Sequence, residues 1–211
     1  MRRAGNGKQH MKRSLYFAVT LILLTGAFAR AQTAPAPGKA IAIFAAGCFW
    51  CVESDFDKVD GVAATVSGYT GGKEANPTYK QVSAGATGHT EAVEIAYDPA
   101  KVSYQKLLDH FWRNVDPFAK DRQFCDSGKQ YRSAIFYRND EEKKLAEASK
   151  KAVEDRFKKK VETEIAPAST FYAAEDYHQD FYLKNATKYK FYRWNCGRDQ
   201  RLEELWGKKT S

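Results

Sequence analysis

The 211-residue chain has four cysteines, at positions 48, 51, 125 and 196, and the first two lie in the run Gly47-Cys48-Phe49-Trp50-Cys51. A cysteine attacks as its thiolate, and a free thiol ionises only near pH ~8.5. A sulfur placed where a strand turns into a helix is helped. Unpaired backbone N–H groups and the positive end of the helix dipole favour an anion there. Gly47 permits the tight turn and removes a side chain from the approach to Cys48. Phe49 and Trp50 add a flat apolar wall, whose indole N–H needs a partner. Cys48 is therefore expected to be a catalytic thiolate.

Cys51 follows one helical turn later, close enough for a disulfide when the first turn adjusts. Such a pair serves as a redox couple, as half of a zinc site, or as a local bridge. Zinc needs two more ligands, and Cys125 and Cys196 lack a second Cys-x-x-Cys spacing. The redox reading is favoured, and no metal is expected.

The flanking elements position these sulfurs. Residues 39–45 form a short apolar run ending at Gly47, a buried strand. Residues 48–59 read as a helix with Gly61 as its stop. Val62 to Tyr69 is a second strand, and the Gly-, Asn- and Pro-rich stretch 68–79 is a loop. Residues 89–97 alternate as a strand. Ser103 caps a helix to Asn114 with Leu107, Leu108, Phe111 and Trp112 on one face. Residues 116–130 read as irregular, 131–137 as a strand, 141–160 as a charged amphipathic helix, and 163–169 as a last strand. An aromatic tail follows, ending in a short helix near Arg201 to Leu205. This order gives helices packed on a sheet.

The first 31 residues stand apart. A basic leader precedes an apolar run, Leu15 to Phe28, and Ala29-Arg30-Ala31 offers small residues where a signal peptidase cuts. The run is shorter than the ~20 residues of a spanning helix. Residues 1–31 are expected to be a signal peptide, with Met11 as an alternative start, and 32–38 a short extended linker. Residues 39–211 form a single catalytic domain. The product is exported, periplasmic or secreted, with no membrane insertion of the mature form. The leader holds six of the 34 basic residues and none of the 26 acidic ones. Without it the net charge falls from +8 to +2. No case for nucleic-acid binding survives. An even cysteine count in an exported chain suggests structural disulfides, but a domain of this size does not need them.

Gly47-Cys48-Phe49-Trp50 resembles the signature of the A-type peptide methionine sulfoxide reductases. The likeness continues through residues 68–72, 76–79, 87–93 and 125–135, in order and spacing, and covers roughly residues 40–206. It implies an α+β fold, a two-layer α/β sandwich with a mixed sheet and a ferredoxin-like core, here with a long irregular C-terminal tail. It implies that Cys48 attacks the sulfoxide sulfur and that Glu91 donates a proton, which a carboxyl in an apolar pocket can do near neutral pH. Tyr79 and Tyr131 would hold the sulfoxide oxygen, Asp126 would act through a water, and Phe49 and Trp50 would cradle the methyl group. Read singly, Tyr79 could be surface, Glu91 solvated, Tyr131 core and Asp126 a turn residue. Their ordered co-occurrence carries the assignment. His178 reads as a packed or hydrogen-bonding histidine.

The product on Cys48 is a sulfenic acid, which a second thiol converts to a disulfide. Cys51 is the favoured resolver. Cys196, on a glycine-containing tail that could swing in, is the runner-up, as resolver or as relay to the surface. Cys125 neighbours Asp126 and could be buried near the pocket. The expected substrates are methionine-S-sulfoxide, free or in oxidised proteins, and the reductant is an external thioredoxin-like dithiol. No cofactor is expected, and the protein is expected to be a monomer. The competing functions are a general thiol–disulfide oxidoreductase using Cys48 and Cys51, and a zinc-stabilised binding module.

Overall fold

The structure, a computed structural model, describes residues 38–208. The expected signal peptide lies outside the described residues, as does the linker apart from Gly38.

The first strand, β1 (Ala40–Ala46), is apolar at every position, as befits a strand covered on both faces. Ala42, Phe44 and Ala46 enter the main core, while Ile41, Ile43 and Ala45 enter a second core on the opposite face. β1 lies between β3 (Thr90–Tyr97) and β6 (Ser133–Tyr137), antiparallel to both. β2 (Val62–Thr70) pairs antiparallel with β3, and β7 (Glu164–Pro167) parallel with β6. With β8 (Tyr172–Ala173) at the other edge, the sheet runs β7-β6-β1-β3-β2-β8. It is a mixed sheet with helices packed on it, as expected.

Phe44 anchors the helical layer. Its ring meets Phe56 of α1 (Phe49–Phe56) at 5.4 Å and Phe111 of a second helix, Tyr104–Trp112, at 5.3 Å. That second helix starts as expected: Ser103 accepts the Lys106 N–H at 3.2 Å, and Leu107, Leu108, Phe111 and Trp112 are buried. The 18-residue charged helix, Asp140–Phe157, is capped by Asn139 and buries Ala146, Ser149 and Val153. Trp112 donates its indole N–H to Ser149 at 2.9 Å and joins the two helices. Among the described residues, no helix is long and apolar enough to cross a membrane.

Three stretches differ from expectation. The glycine-rich loop is followed at once by a five-residue helix, α2 (Tyr79–Ser83), started by a capping box between Thr78 and Gln81. The stretch 116–130 contains a two-residue ladder of β4 (Arg122–Gln123) and β5 (Asp126–Ser127), then a 3-10 turn at Lys129–Tyr131. The tail is mostly helical. With the Tyr104–Trp112 and Asp140–Phe157 helices as α3 and α4, it adds α5 (Phe181–Lys184), α6 (Ala186–Asn195) and α7 (Arg198–Trp206).

Candidate active site

Cys48 occupies the N-cap of α1, directly past the end of central strand β1. Gly47 makes the turn at φ +82°, and a Cβ there would lie 2.5 Å from Gln123 Cβ. Only glycine meets both demands.

Glu91 comes from β3, opposite Tyr69 of β2 in the ladder. It is buried, and its Oε2 accepts the Phe49 N–H at 3.0 Å. One backbone donor does not offset the lost hydration, and burial pushes the carboxyl up to about 8. The charge of Asp126 adds to the rise. Glu91 is thus held protonated at neutral pH, as general-acid work requires.

That same hydrogen bond bears on Cys48. The first N–H of α1 serves Glu91, and no N–H caps the sulfur. Burial pushes the Cys48 thiol well up, with Cys51, Glu91 and Asp126 adding to it. The depressed partner is Cys51, lowered by its contact with Cys48 and by the guanidiniums of Arg198 and Arg193.

The expected oxygen-binding groups converge here. Tyr79, at the start of α2, and Tyr131, at the end of the 3-10 turn, are half-buried. Both hydroxyls are pushed up first by burial and then by Glu91, Tyr79 to about 12, so they remain proton donors. Asp126 is half-buried and raised by burial. Phe49 and Trp50 form the wall, with Phe49 stacked towards Tyr79 at 6.5 Å and Trp50 flat on Phe181 at 3.7 Å.

The partner sought for the Trp50 indole is His178 Nδ1, at 3.0 Å. Its ring also packs on Phe49 and Tyr79, at 4.9 and 4.3 Å. Burial lowers the His178 pKa, so the imidazole is neutral. It is a packed, hydrogen-bonding histidine, as expected.

Sequence reasoning missed several residues. Glu175 accepts the Tyr79 N–H and the Tyr69 hydroxyl, both at 2.8 Å, and so places the Tyr79 turn. Glu53, one turn past Cys48 on α1, is buried and accepts from Ser67 and the Asp180 N–H, tying α1 to the tail. Burial pushes its carboxyl up to about 7. Tyr192 of α6 donates its hydroxyl to Asp126.

The cysteines sort differently from expectation. Cys48 and Cys51 are both buried and free, in contact with each other. Cys125, beside Asp126, is exposed. It is bonded to Cys196 across 71 residues, with Cα atoms 4.9 Å apart. Nor is Cys196 on a loose tail. The buried Arg198 two residues later donates to the carbonyls of Ala46 and Asn114, and its guanidinium lies over the Phe124 ring. The cluster of Cys125, Asp126 and Cys196 has metal-like proximity, but with both sulfurs in a disulfide it offers no thiolate ligand.

This arrangement sets a nucleophilic sulfur, a protonated carboxyl, two hydroxyl donors and a second thiol around one apolar wall. Residues 40–210 match the family described as peptide methionine sulfoxide reductase. A curated relative, peptide methionine sulfoxide reductase MsrA of Listeria innocua, is 52% identical over 167 residues, spanning 78% of this chain and 94% of its own. Among solved structures, Mxr1 of Saccharomyces cerevisiae in reduced form superposes with TM-score 0.70 at 32% identity, over 75% of this chain and 93% of Mxr1. Mxr1 in complex with Trx2 shares the fold, with TM-score 0.51 at 23% identity, over 71% and 90%. The chain belongs to the peptide methionine sulfoxide reductase family, of the MsrA type, and is an oxidoreductase that reduces methionine sulfoxide with formation of a disulfide.

Proposed function

We propose that the enzyme reduces methionine-S-sulfoxide, free and in exported proteins, with Cys48 as nucleophile, Glu91 as acid and Cys51 as first resolver. One observation carries this reading: the helix that bears Cys48 at its cap gives its first N–H to a buried, protonated Glu91. Nucleophile and acid are thereby fixed to one backbone element.

The sulfoxide methyl rests against Phe49 and Trp50, and its oxygen takes hydrogen bonds from Tyr79 and Tyr131. The Cys48 sulfur bonds to the sulfoxide sulfur as Glu91 delivers a proton to the oxygen; the hydroxyl then passes to the Cys48 sulfur while the substrate's sulfur–oxygen bond and the new sulfur–sulfur bond both break. Methionine leaves, and Cys48 holds the oxygen as sulfenic acid. The thiol proton of Cys48 replaces the one Glu91 gave, so the step balances. The Asp126 carboxylate holds a water beside the oxygen. The Cys51 thiol then attacks the Cys48 sulfur, its proton leaves with the sulfenic oxygen as water, and the Cys48–Cys51 disulfide forms. An external thioredoxin-like dithiol restores both thiols and ends as its own disulfide. Mxr1 has been crystallised with Trx2, which supports a reductant of this kind. No prosthetic group enters any step.

The protein works as a monomer, with residues 1–31 as signal peptide, 32–38 as linker and the remainder as one catalytic domain, periplasmic or secreted. The basic leader, apolar run and cleavage-like Ala29-Arg30-Ala31 support export.

The test is a single turnover with methionine-S-sulfoxide. Wild type forms one methionine per enzyme, and Cys48→Ser forms none. Mass spectrometry after one equivalent of sulfoxide finds a Cys48–Cys51 bond. A Cys48–Cys196 bond with Cys51 free would refute the resolver. Insulin reduction without sulfoxide loss would point to general thiol–disulfide exchange instead.

A further inference from the structure

Asp126 has three neighbours that this reaction does not use: Tyr192, Cys125 and Cys196. The Tyr192 hydroxyl donates to Asp126 Oδ2. It also reaches the Cys48 sulfur, and its ring meets Trp50 edge-on at 5.8 Å. One side chain thus touches the nucleophile, the second carboxyl and the aromatic wall.

Packing alone does not fix Tyr192 there. It projects from α6, a mostly polar helix in which only Tyr189 is buried. Cys196 caps α6 one turn after Tyr192, with its N–H on the Tyr192 carbonyl at 2.9 Å. Cys196 is bonded to Cys125, the residue immediately before Asp126. The two ends of the Tyr192–Asp126 hydrogen bond therefore sit next to the two ends of one covalent bridge. Cys125 is exposed, so an external dithiol can reach that bridge.

We propose that Tyr192 is a positioning residue for sulfoxide reduction, and that the Cys125–Cys196 disulfide is a redox clamp holding it on Asp126 and Cys48. The proposal rests on the reading of Cys48 given above. Opening the clamp takes two electrons and two protons from an external dithiol, which becomes a disulfide while Cys125 and Cys196 become thiols. Reduction also alters Asp126 directly. Its Oδ1 lies 3.7 Å from the Cys125 sulfur, which has a proton to donate only as a thiol.

A clamp and a relay differ in the step they affect. A relay from Cys48–Cys51 to Cys125–Cys196 matters only when the enzyme is recycled. A clamp acts on the first methionine formed. Its readout is the ionisation of Asp126. The groups facing that carboxyl are Tyr192, Arg198, Cys48, Glu91, Tyr79 and Tyr131. Arg198 and the Tyr192 hydrogen bond favour its charge, and burial opposes it. Removing the Tyr192 donor lets Asp126 keep its proton to higher pH.

The experiment measures single-turnover methionine formation across pH 5 to 9 in the full chain. It compares wild type with the Cys125–Cys196 bond intact, Tyr192→Phe, and Cys125→Ser/Cys196→Ser. Tyr192→Phe keeps the ring against Trp50, and thermal melts check that both variants are folded. The expected result for Tyr192→Phe is a rate about tenfold lower, with the acid limb about one pH unit higher, the scale of one lost charge-assisted hydrogen bond. The double serine variant moves both quantities in the same direction. An unchanged rate and profile in Tyr192→Phe would overturn the proposal. So would a double variant whose first turnover is normal and whose recycling alone fails. If wild type forms no methionine, the reading of Cys48 is what has failed.

Discussion

Glu91→Gln separates what the buried acid does for catalysis from what it costs the fold. The amide keeps an oxygen for the Phe49 N–H and nearly the same volume, but it has no proton to deliver. Loss of a positioned general acid lowers the rate by about 10²- to 10⁴-fold. Stability should move the other way. The Glu91 carboxyl rises from an ordinary 4.5 to about 8 on folding. Between those values the folded protein keeps a proton that the unfolded chain has lost. Stability is therefore fully present below pH 4.5 and declines as pH rises through about 8. At ~1.4 kcal/mol per pH unit, the decline reaches about 5 kcal/mol. Glutamine does not titrate, so the variant escapes this loss. Urea unfolding at pH 5 and pH 8.5 measures it, since the difference between wild type and Glu91→Gln cancels every other titrating group. The variant should gain relative to wild type at pH 8.5 by several kcal/mol, while single-turnover methionine formation collapses at both pH values. A stability difference that is the same at both pH values would refute the buried, protonated Glu91. So would a wild-type alkaline limb near pH 4.5.

Other substitutions test the supports of the site. Gly47→Ala forces a Cβ to 2.5 Å from Gln123 Cβ at φ +82° and should cost at least ~2 kcal/mol in denaturant unfolding. His178→Ala orphans the Trp50 indole N–H, which should cost about 1–3 kcal/mol and shift Trp50 fluorescence. Glu175→Gln weakens the bonds from Tyr69 and Tyr79, and the Tyr79 amide should exchange its hydrogen faster, with a loss of about 1–2 kcal/mol.

The sequence exposed the parts of the site that are local. Gly47, Cys48 and the aromatic pair announce themselves, because a strand-to-helix turn is a short-range event. Glu91, Tyr79, Tyr131 and Asp126 were legible only through the order of their motifs, since nothing in any one of them distinguishes a site from a surface. Helix α2 was hidden by its glycine-rich surroundings, although Thr78 and Gln81 have the spacing of a capping box. The tail was misread as irregular because its helices are short and polar, with one to two buried residues each. Three features depend on pairings that no spacing rule reaches: Tyr192 with Asp126, Cys125 with Cys196, and Glu175 with Tyr79. One more long-range pairing bears on Cys48. The helix start was placed correctly, but a carboxyl 42 residues away takes the N–H that the sulfur was expected to share.

That N–H also has a geometric consequence. With Oε2 accepting from Phe49, Oε1 is the oxygen of neutral Glu91 left to deliver its proton, along one direction. The Cys48 sulfur and the Phe49–Trp50 wall give two more fixed directions. Three fixed directions around a tetrahedral sulfoxide make the pocket handed. A mirror-image substrate that seats its methyl on the wall and its sulfur on Cys48 would turn its oxygen away from the Glu91 proton.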